Sequence, residues 1–550
     1  MTAGQPWRWH AGAAVLYAIV AWVFLDHGEA LSAGIAAPGS DPFIFIWFLK
    51  WWPWAAAHRL DLFHTDLVWQ PAGLYTVCVT SVPLLAALAL PITLTAGPVV
   101  AYNLLVISAP VLSAWCAYRL CLELCGDPLA ALVGGVLFGF SAYALKLAYA
   151  VPNLGVSCWI PLLAWVAVLR FRAAITRGRY VLLVTLLLTA EFLTSLEVCA
   201  SLAMFAALAW GLAFLERPDW RPDLRRLLAD TLLAAPIVML VLSPVLAVLL
   251  SHLRNIQVPW YWTYRFSEDA ASLVSPAPFR AVLSGIDHLT GTRLAQPLHN
   301  QSPEISLPLL ILVILFARDN RAGPGRLLVL LLACVLVASL GPRLWFDGMA
   351  TPLFLPWWPI AQIPLLGAAL PMRFALYAAL LTAVMASLWL SAPCGGGQRA
   401  GRKVLALLAC LAVLPGFRHW APVPAAVFFA PGRLQAALGP RPRLLILPFA
   451  INGPSSFWQA ANDFGFSQTG GYLGPPPAAM IDDPAVVQLF DNTPGPGLGN
   501  ALRRWCQASR TQYVVAGPGT PAALFAVLGS LRWPERRVDD VTVFTVPADG

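Results

Sequence analysis

Apolar residues in this chain run in long uninterrupted blocks, and polar residues collect in the short intervals between them. Charge-free or nearly charge-free runs at 11–25, 98–118, 129–147, 153–169, 180–196, 198–215, 230–250, 305–317, 326–341, 374–392 and 403–417 approach the roughly 20 residues that a helix needs to cross a bilayer. They predict a polytopic bundle of about 11 helical spans. Basic clusters punctuate the blocks: RFRAAITRGR at 170–179, ERPDWRPDLRR at 216–226, ARDNRAGPGR at 317–326 and GGGQRAGRK at 395–403. Short loops rich in Arg and Lys stay in the cytoplasm, which sets the orientation. A further apolar run, 81–98, would invert every later loop if it crossed. It is therefore expected to be a short re-entrant or interfacial helix, broken by Pro83 and Pro91, with both ends on the outer face. The same parity puts loops 26–97, 251–304 and 342–373 outside, together with the C-terminus.

The texture changes near residue 418. RLLILPFA (443–450), TQYVVAG (511–517) and VTVFTVP (541–547) read as strands, and PAALFAVLGSL (521–531) reads as a helix among Gly, Pro and Asn-rich turns. The expected fold class is thus mainly α: a membrane domain over 1–417, followed by a small extracytoplasmic α/β domain over 418–550. No internal repeat is visible, although inverted-repeat transporters would show one.

Composition excludes a water-soluble globule. Of 550 residues, 59% are hydrophobic and 11% charged, against roughly 25% charged in soluble domains. The mean hydropathy is +0.70. The net charge of +8 is scattered in the punctuating clusters instead of forming one basic stripe, so nucleic acid is not an expected partner. Most of the ten cysteines sit inside apolar runs and read as inert thiols. A Cys78–Cys506 disulfide would require both residues to be exported. Segment 11–25 has the apolar character of a signal peptide but no clean A-x-A site after it, and reads as a retained first span.

Candidate chemistry concentrates in the first outer loop. Within APGSDPFIFIWFLKWWPW (37–54), the run PFIFIWFLKWWPW is Trp-rich and too short to span, so it should lie flat at the headgroup level. Asp41 stands where that helix begins, with Pro42 after it. Its carboxylate can cap the free N–H groups of the first turn, or serve as a base for an acceptor hydroxyl.

One span, a long outer loop with an early Asp, an interfacial helix, W-x-P-x-G (69–73) and a Pro-containing short helix form a layout that resembles the GT-C membrane glycosyltransferases. These include the protein O-mannosyltransferases, the aminoarabinose transferases and uncharacterised YfhO-like bacterial relatives. The stretch 117–198 is similar to their third-to-sixth helix region, with a basic turn, a small-residue helix ending in FGFSAY and the outer segment LTSLEV. The resemblance implies transfer of a sugar from a polyprenyl phosphate carrier to a lipid, glycan or protein acceptor on the outer face of a bacterial cytoplasmic membrane, with inversion and with Asp41 as base. Members often carry D-E or D-x-D in this loop, whereas Asp41 is followed by Pro42. A divalent metal is therefore not supported by the motif, and no cofactor is expected.

Such chemistry needs cations for the departing phosphate. Arg373 in PMRF, Lys146 at the outer end of a span and Arg343 in the outer layer are candidates, each also explicable as a cation snorkelling to the interface. Acids in apolar surroundings are the second group: Glu191 and Glu197 in TAEFLTSLEVCA, and Glu304 opening a span. Glu197 is a second catalytic candidate, and Glu304 a substrate-binding one, unless each simply pairs with an Arg. His64 is a candidate for hydrogen bonding to substrate. The histidines show no H-E-x-x-H or H-x-H spacing, so a metal site is not expected. Two other functions compete with the transferase: a transporter or flippase for a lipid-linked saccharide, and a catalytically inactive envelope assembly factor on the same scaffold.

Overall fold

Among the described residues, each of the apolar blocks is mainly helical. The computed structural model describes residues 7–26, 28–37, 39–253, 263–264, 266–270, 305–346, 349–363, 367, 369–414 and 420–547. Trp7–Asp26, Pro98–Cys125, Pro152–Phe171, Leu196–Glu216 and Pro371–Ser391 are long and apolar enough to cross a membrane. Counting each bent helix pair as one span brings the total to seven among the described residues. The other expected segments are helical too, as Arg177–Thr194, Leu307–Asp319, Pro324–Ser339 and Gly396–Val413. Length and apolar character by themselves therefore qualify fewer spans than the eleven expected. The chain is a mainly helical, multi-pass membrane protein. The extra run at 81–98 forms Pro83–Ala96, a helix of 14 residues. At 1.5 Å per residue it covers about 21 Å, less than the hydrocarbon core.

The chain divides into two compact units. One comprises 1–28, 106–241 and 258–418, and the other 29–105, 242–257 and 419–550.

The first unit is helical, and its closest packing follows from small residues. In Pro128–Gly139 a side chain at Gly134 would meet Ser387 Oγ and Cys121 Sγ at 2.2 and 2.6 Å. One at Gly135 would strike the Tyr17 hydroxyl at 2.0 Å. Small residues let helix backbones approach where lipid gives no hydrophobic drive to association. Asp127 caps this helix, accepting the N–H groups of Leu129 and Ala130 at 2.9 and 3.3 Å. Part of the basic loop 170–179 does not face water. Asp230, 3% exposed, accepts Arg170 Nε at 2.7 Å and pairs with Arg177 at 2.9 Å, beside an apolar cluster of Val166, Ile175, Tyr180, Val181 and Val184.

The second unit holds a five-stranded mixed sheet in the order Glu535–Val538, Val541–Thr545, Tyr513–Ala516, Arg443–Leu447, Ser467–Gln468. The central pair is parallel, with Leu444 to Leu447 opposite Tyr513 to Ala516. The Trp-rich helix of the first loop belongs to this unit as Asp41–Ala57 and packs against Ser455–Ala461 and Pro83–Ala96. Its aromatic face is not given to lipid, contrary to expectation: Trp47 and Trp51 are 0% and 1% exposed. Cys78 and Cys506 are both free thiols. Burial pushes the first up to about 11 and the second up to about 12.

Candidate active site

Asp41 is reached through a clamped loop. Asn103, wholly buried, donates from Nδ2 to the carbonyls of Leu31 and Gly34 at 2.9 and 2.8 Å and accepts the N–H of Ala36 at 3.1 Å. One amide thereby fixes the chain that delivers Asp41. Residue 40 precedes the helix, but the Ser40 hydroxyl donates to the Ile451 carbonyl at 2.6 Å and caps nothing. Asp41 is the first helical residue, with Pro42 beside it. Its Oδ1 accepts the hydroxyl of Tyr472 at 2.7 Å, and Oδ2 accepts no hydrogen bond from a described residue. The cap reading of Asp41 thus gives way to a tertiary contact. Burial, reinforced by the Asp41 charge and hydrogen bond, holds the Tyr472 phenol above its ordinary range, so it remains a donor. A hydroxyl to a carboxylate is a strong, charge-assisted bond.

The rest of the helix is pinned along its length. Trp47 Nε1 donates to Gln459 Oε1 at 2.9 Å, and Gln459 Nε2 donates to the carbonyls of Leu67 and Phe466 at 2.8 and 3.0 Å. Gln468 completes this buried network by donating to Gln459 Oε1 at 3.1 Å. Lys50 donates to the Ala460 carbonyl at 2.7 Å and pairs with Asp463. A buried polar network of this kind specifies one register for the helix. His64 is used locally. It lies on a two-residue strand paired with Leu74–Tyr75, with Nε2 at 3.2 Å from the Ala72 carbonyl and its ring edge-on to Tyr75.

The other candidates belong to the first unit. Ser195 caps the helix Leu196–Glu216, which places Glu197 in the first turn, where the helix dipole favours an acid. Glu197 Oε2 pairs with Arg373, and Oε1 accepts the N–H of Leu370 at 3.3 Å. Arg373 sits in the single turn Pro371–Phe374 that feeds the helix Ala375–Ser391. Both side chains are about a quarter exposed, at 26% and 25%. Beneath them the hydroxyls of Tyr377 and Ser201 bond at 2.7 Å. Glu191 is 1% exposed, and its Oε2 has no hydrogen-bond partner among the described residues.

Lys146 is exposed on the helix Ala142–Ala150. Arg343 donates to the carbonyl of Thr351. Glu304 lies outside the described residues. Of the candidates, therefore, the structure joins Glu197 to Arg373 and ties Asp41 to a residue that the sequence did not single out. Tyr472 stands in a Gly and Pro-rich turn 431 positions further on, and Asn103 inside an apolar helix. No local pattern links either to the first loop. Among the described residues no three His, Cys, Asp or Glu side chains are grouped so as to hold a metal ion.

A helical membrane scaffold with an acid at the head of a first-loop helix is the class of structure defined here, and solved proteins share its fold. The apo oligosaccharyltransferase of Archaeoglobus fulgidus matches with a TM-score of 0.54 and 13% identity, over 93% of this chain and 70% of that one. The A. fulgidus oligosaccharyltransferase AglB, in complex with an inhibitory peptide and a dolichol-phosphate, matches with a TM-score of 0.55 and 12% identity, over 99% and 75%. The mycobacterial arabinofuranosyltransferase AftD matches all of this chain with a TM-score of 0.55 and 14% identity, and the match covers 42% of AftD, so the chain spans less than half of that protein. These are GT-C-type glycosyltransferases, and the chain has the GT-C fold. No family model matches the chain, and no curated protein matches it.

Proposed function

We propose that the protein is a GT-C-type glycosyltransferase of the cytoplasmic membrane that moves a hexosyl or pentosyl group from a polyprenyl-phosphate carrier to an acceptor on the outer face. The observation that carries this reading is Asp41: a loop acid on a scaffold shared with lipid-dependent glycosyltransferases, held through one oxygen by Tyr472. In the proposed reaction the acceptor hydroxyl gives its proton to Asp41 as its oxygen attacks the anomeric carbon. The bond from that carbon to the phosphate oxygen breaks on the opposite side. Polyprenyl phosphate leaves with the bonding electrons, and the anomeric configuration inverts. The reading assigns Arg373, Lys146 and Arg343 to the phosphate and Glu197, Glu304 and His64 to sugar or acceptor hydroxyls. It requires no metal and places the C-terminal α/β segment outside the cytoplasm.

The test uses the full-length protein in nanodiscs with a panel of radiolabelled polyprenyl-phosphoryl hexoses and pentoses, scoring release of polyprenyl phosphate. Turnover of one donor by the native protein, lost in Asp41→Asn, supports the reading. A second reading, a lipid-linked saccharide flippase, is favoured by the buried Glu191, because an acid inside an apolar segment marks pathways in transporters. Translocation of a fluorescent lipid-linked saccharide in proteoliposomes, without any transfer, would favour it.

A further inference from the structure

Between the helices Pro324–Ser339 and Pro371–Ser391, residues 344–372 contain one charged side chain, Asp347. This stretch does not fold as helix throughout. Arg343–Phe346 and Met349–Phe354 pair as an antiparallel hairpin, followed by the turn Trp357–Ile360. Two of its polar side chains bond within the pair of strands: the Arg343 guanidinium donates to the Thr351 carbonyl, and the Thr351 hydroxyl donates to the Leu344 carbonyl at 2.9 Å. The base is anchored as well. Glu268 N–H donates to the Ser339 carbonyl at 2.9 Å, Met372 N–H to the Phe266 carbonyl at 3.0 Å, and Trp345 bridges to Asp269.

What projects outward is apolar. Phe346, Met349, Leu353 and Phe354 are 53%, 70%, 55% and 59% exposed, and Trp358 and Ile363 continue the surface at 44% and 48%. Side chains alternate between the two faces of a strand, so neighbours such as Leu353 and Phe354 place exposed apolar groups on both faces. An isolated two-stranded hairpin is marginal in water, and soluble surfaces rarely carry so large an apolar patch. The charged outer strand Glu535–Val538, with Glu535, Arg536 and Arg537 exposed, shows how a water-facing strand of this same protein is built. A docked protein would cover one face of the hairpin, whereas lipid surrounds both. The patch also continues directly from a helix whose Val337 is 41% exposed, and Trp358 is the residue type that settles at headgroup level.

We propose that the strands Arg343–Phe346 and Met349–Phe354 and the turn Trp357–Ile360 insert into the headgroup–acyl boundary of the bilayer as a non-helical membrane anchor. Its occupant is lipid, and the proposal does not depend on the transfer reaction. The anchor holds the segment that ends at Arg373 at the membrane surface.

The test places a fluorescent thiol label on Met349→Cys and, separately, on Leu353→Cys in the full chain. The protein is reconstituted in phosphatidylethanolamine and phosphatidylglycerol vesicles. Both positions are exposed, so the substitutions leave the packing untouched, and a monodisperse elution profile confirms it. None of the native thiols is exposed, so unsubstituted protein labelled in parallel supplies a low background. A label on Glu535→Cys is the water-facing control. The proposal expects blue-shifted emission at both hairpin positions, with quenching by acyl-chain nitroxide lipids several-fold stronger than by aqueous iodide, and the reverse ratio at the control. Iodide quenching equal to the control at both positions overturns it. Shielding from both quenchers also overturns it, because protein would then cover the hairpin.

Discussion

Two carboxylates, Asp41 and Glu197, open helices in different units of this molecule, and their partners differ in charge. Glu197 is neutralised by the Arg373 guanidinium, while Asp41 is held by the uncharged phenol of Tyr472. A carboxylate tied to a cation stabilises the join between two segments, and its charge is already used. Asp41 is held by a neutral hydroxyl and has a second oxygen that accepts no hydrogen bond from a described residue. On that difference, the proposed reaction gives proton abstraction to Asp41 and positioning to Glu197.

The largest expected effect is that of Asp41→Asn, which should lower turnover by about 10²–10⁴-fold, the usual contribution of a general base, while the elution profile stays unchanged. Glu197→Gln should act mainly on folding, lowering the detergent melting temperature while turnover falls by less than about tenfold; a loss equal to that of Asp41→Asn would erase the distinction between the two acids. The purely structural reference is Asp230, buried between Arg170 and Arg177. Asp230→Ala should destabilise the helical unit by about 3–5 kcal/mol, measured by chemical denaturation, because it strands the buried Arg170 guanidinium, while Arg177, whose side chain is 60% exposed, stays solvated. Tyr472→Phe should cost about tenfold in kcat with KM for the lipid donor within about twofold, and should add nothing in an Asp41→Asn background, as expected for groups that act together. The smallest effect concerns Cys78: with its thiol pushed up to about 11 by burial, it should stay unmodified by iodoacetamide near neutral pH, as read by peptide mass spectrometry.

Much of the helical architecture was legible because it is local. A block such as LEVCASLAMFAALAWGLAFLE carries both its apolar length and its capping Ser195 within one stretch, and it folds as expected. The Trp-rich first-loop helix was legible as a helix, but its environment was not. PFIFIWFLKWWPW is as apolar as an interfacial anchor, and only the distant Gln459 and Phe464 reveal that Trp47 is buried in protein instead. The same limit applies to the candidate sites. Glu197 and Arg373 were each visible as ionisable groups among apolar neighbours, yet their pairing spans 176 positions, and that of Asp41 with Tyr472 spans 431. Contacts of that range depend on tertiary packing and leave no periodic trace. The paired strands Arg343–Phe346 and Met349–Phe354 were hidden for a related reason: the stretch is apolar but carries no regular period, so it reads as a loop.

Asp41 is the proposed base of the lipid-linked sugar transfer. The direct measurement is single-turnover release of polyprenyl phosphate from a radiolabelled polyprenyl-phosphoryl sugar by nanodisc-embedded protein, native and Asp41→Asn side by side. The account predicts release by the native protein and a loss of at least about 100-fold in the variant, with donor binding retained. Equal release by both proteins would contradict it.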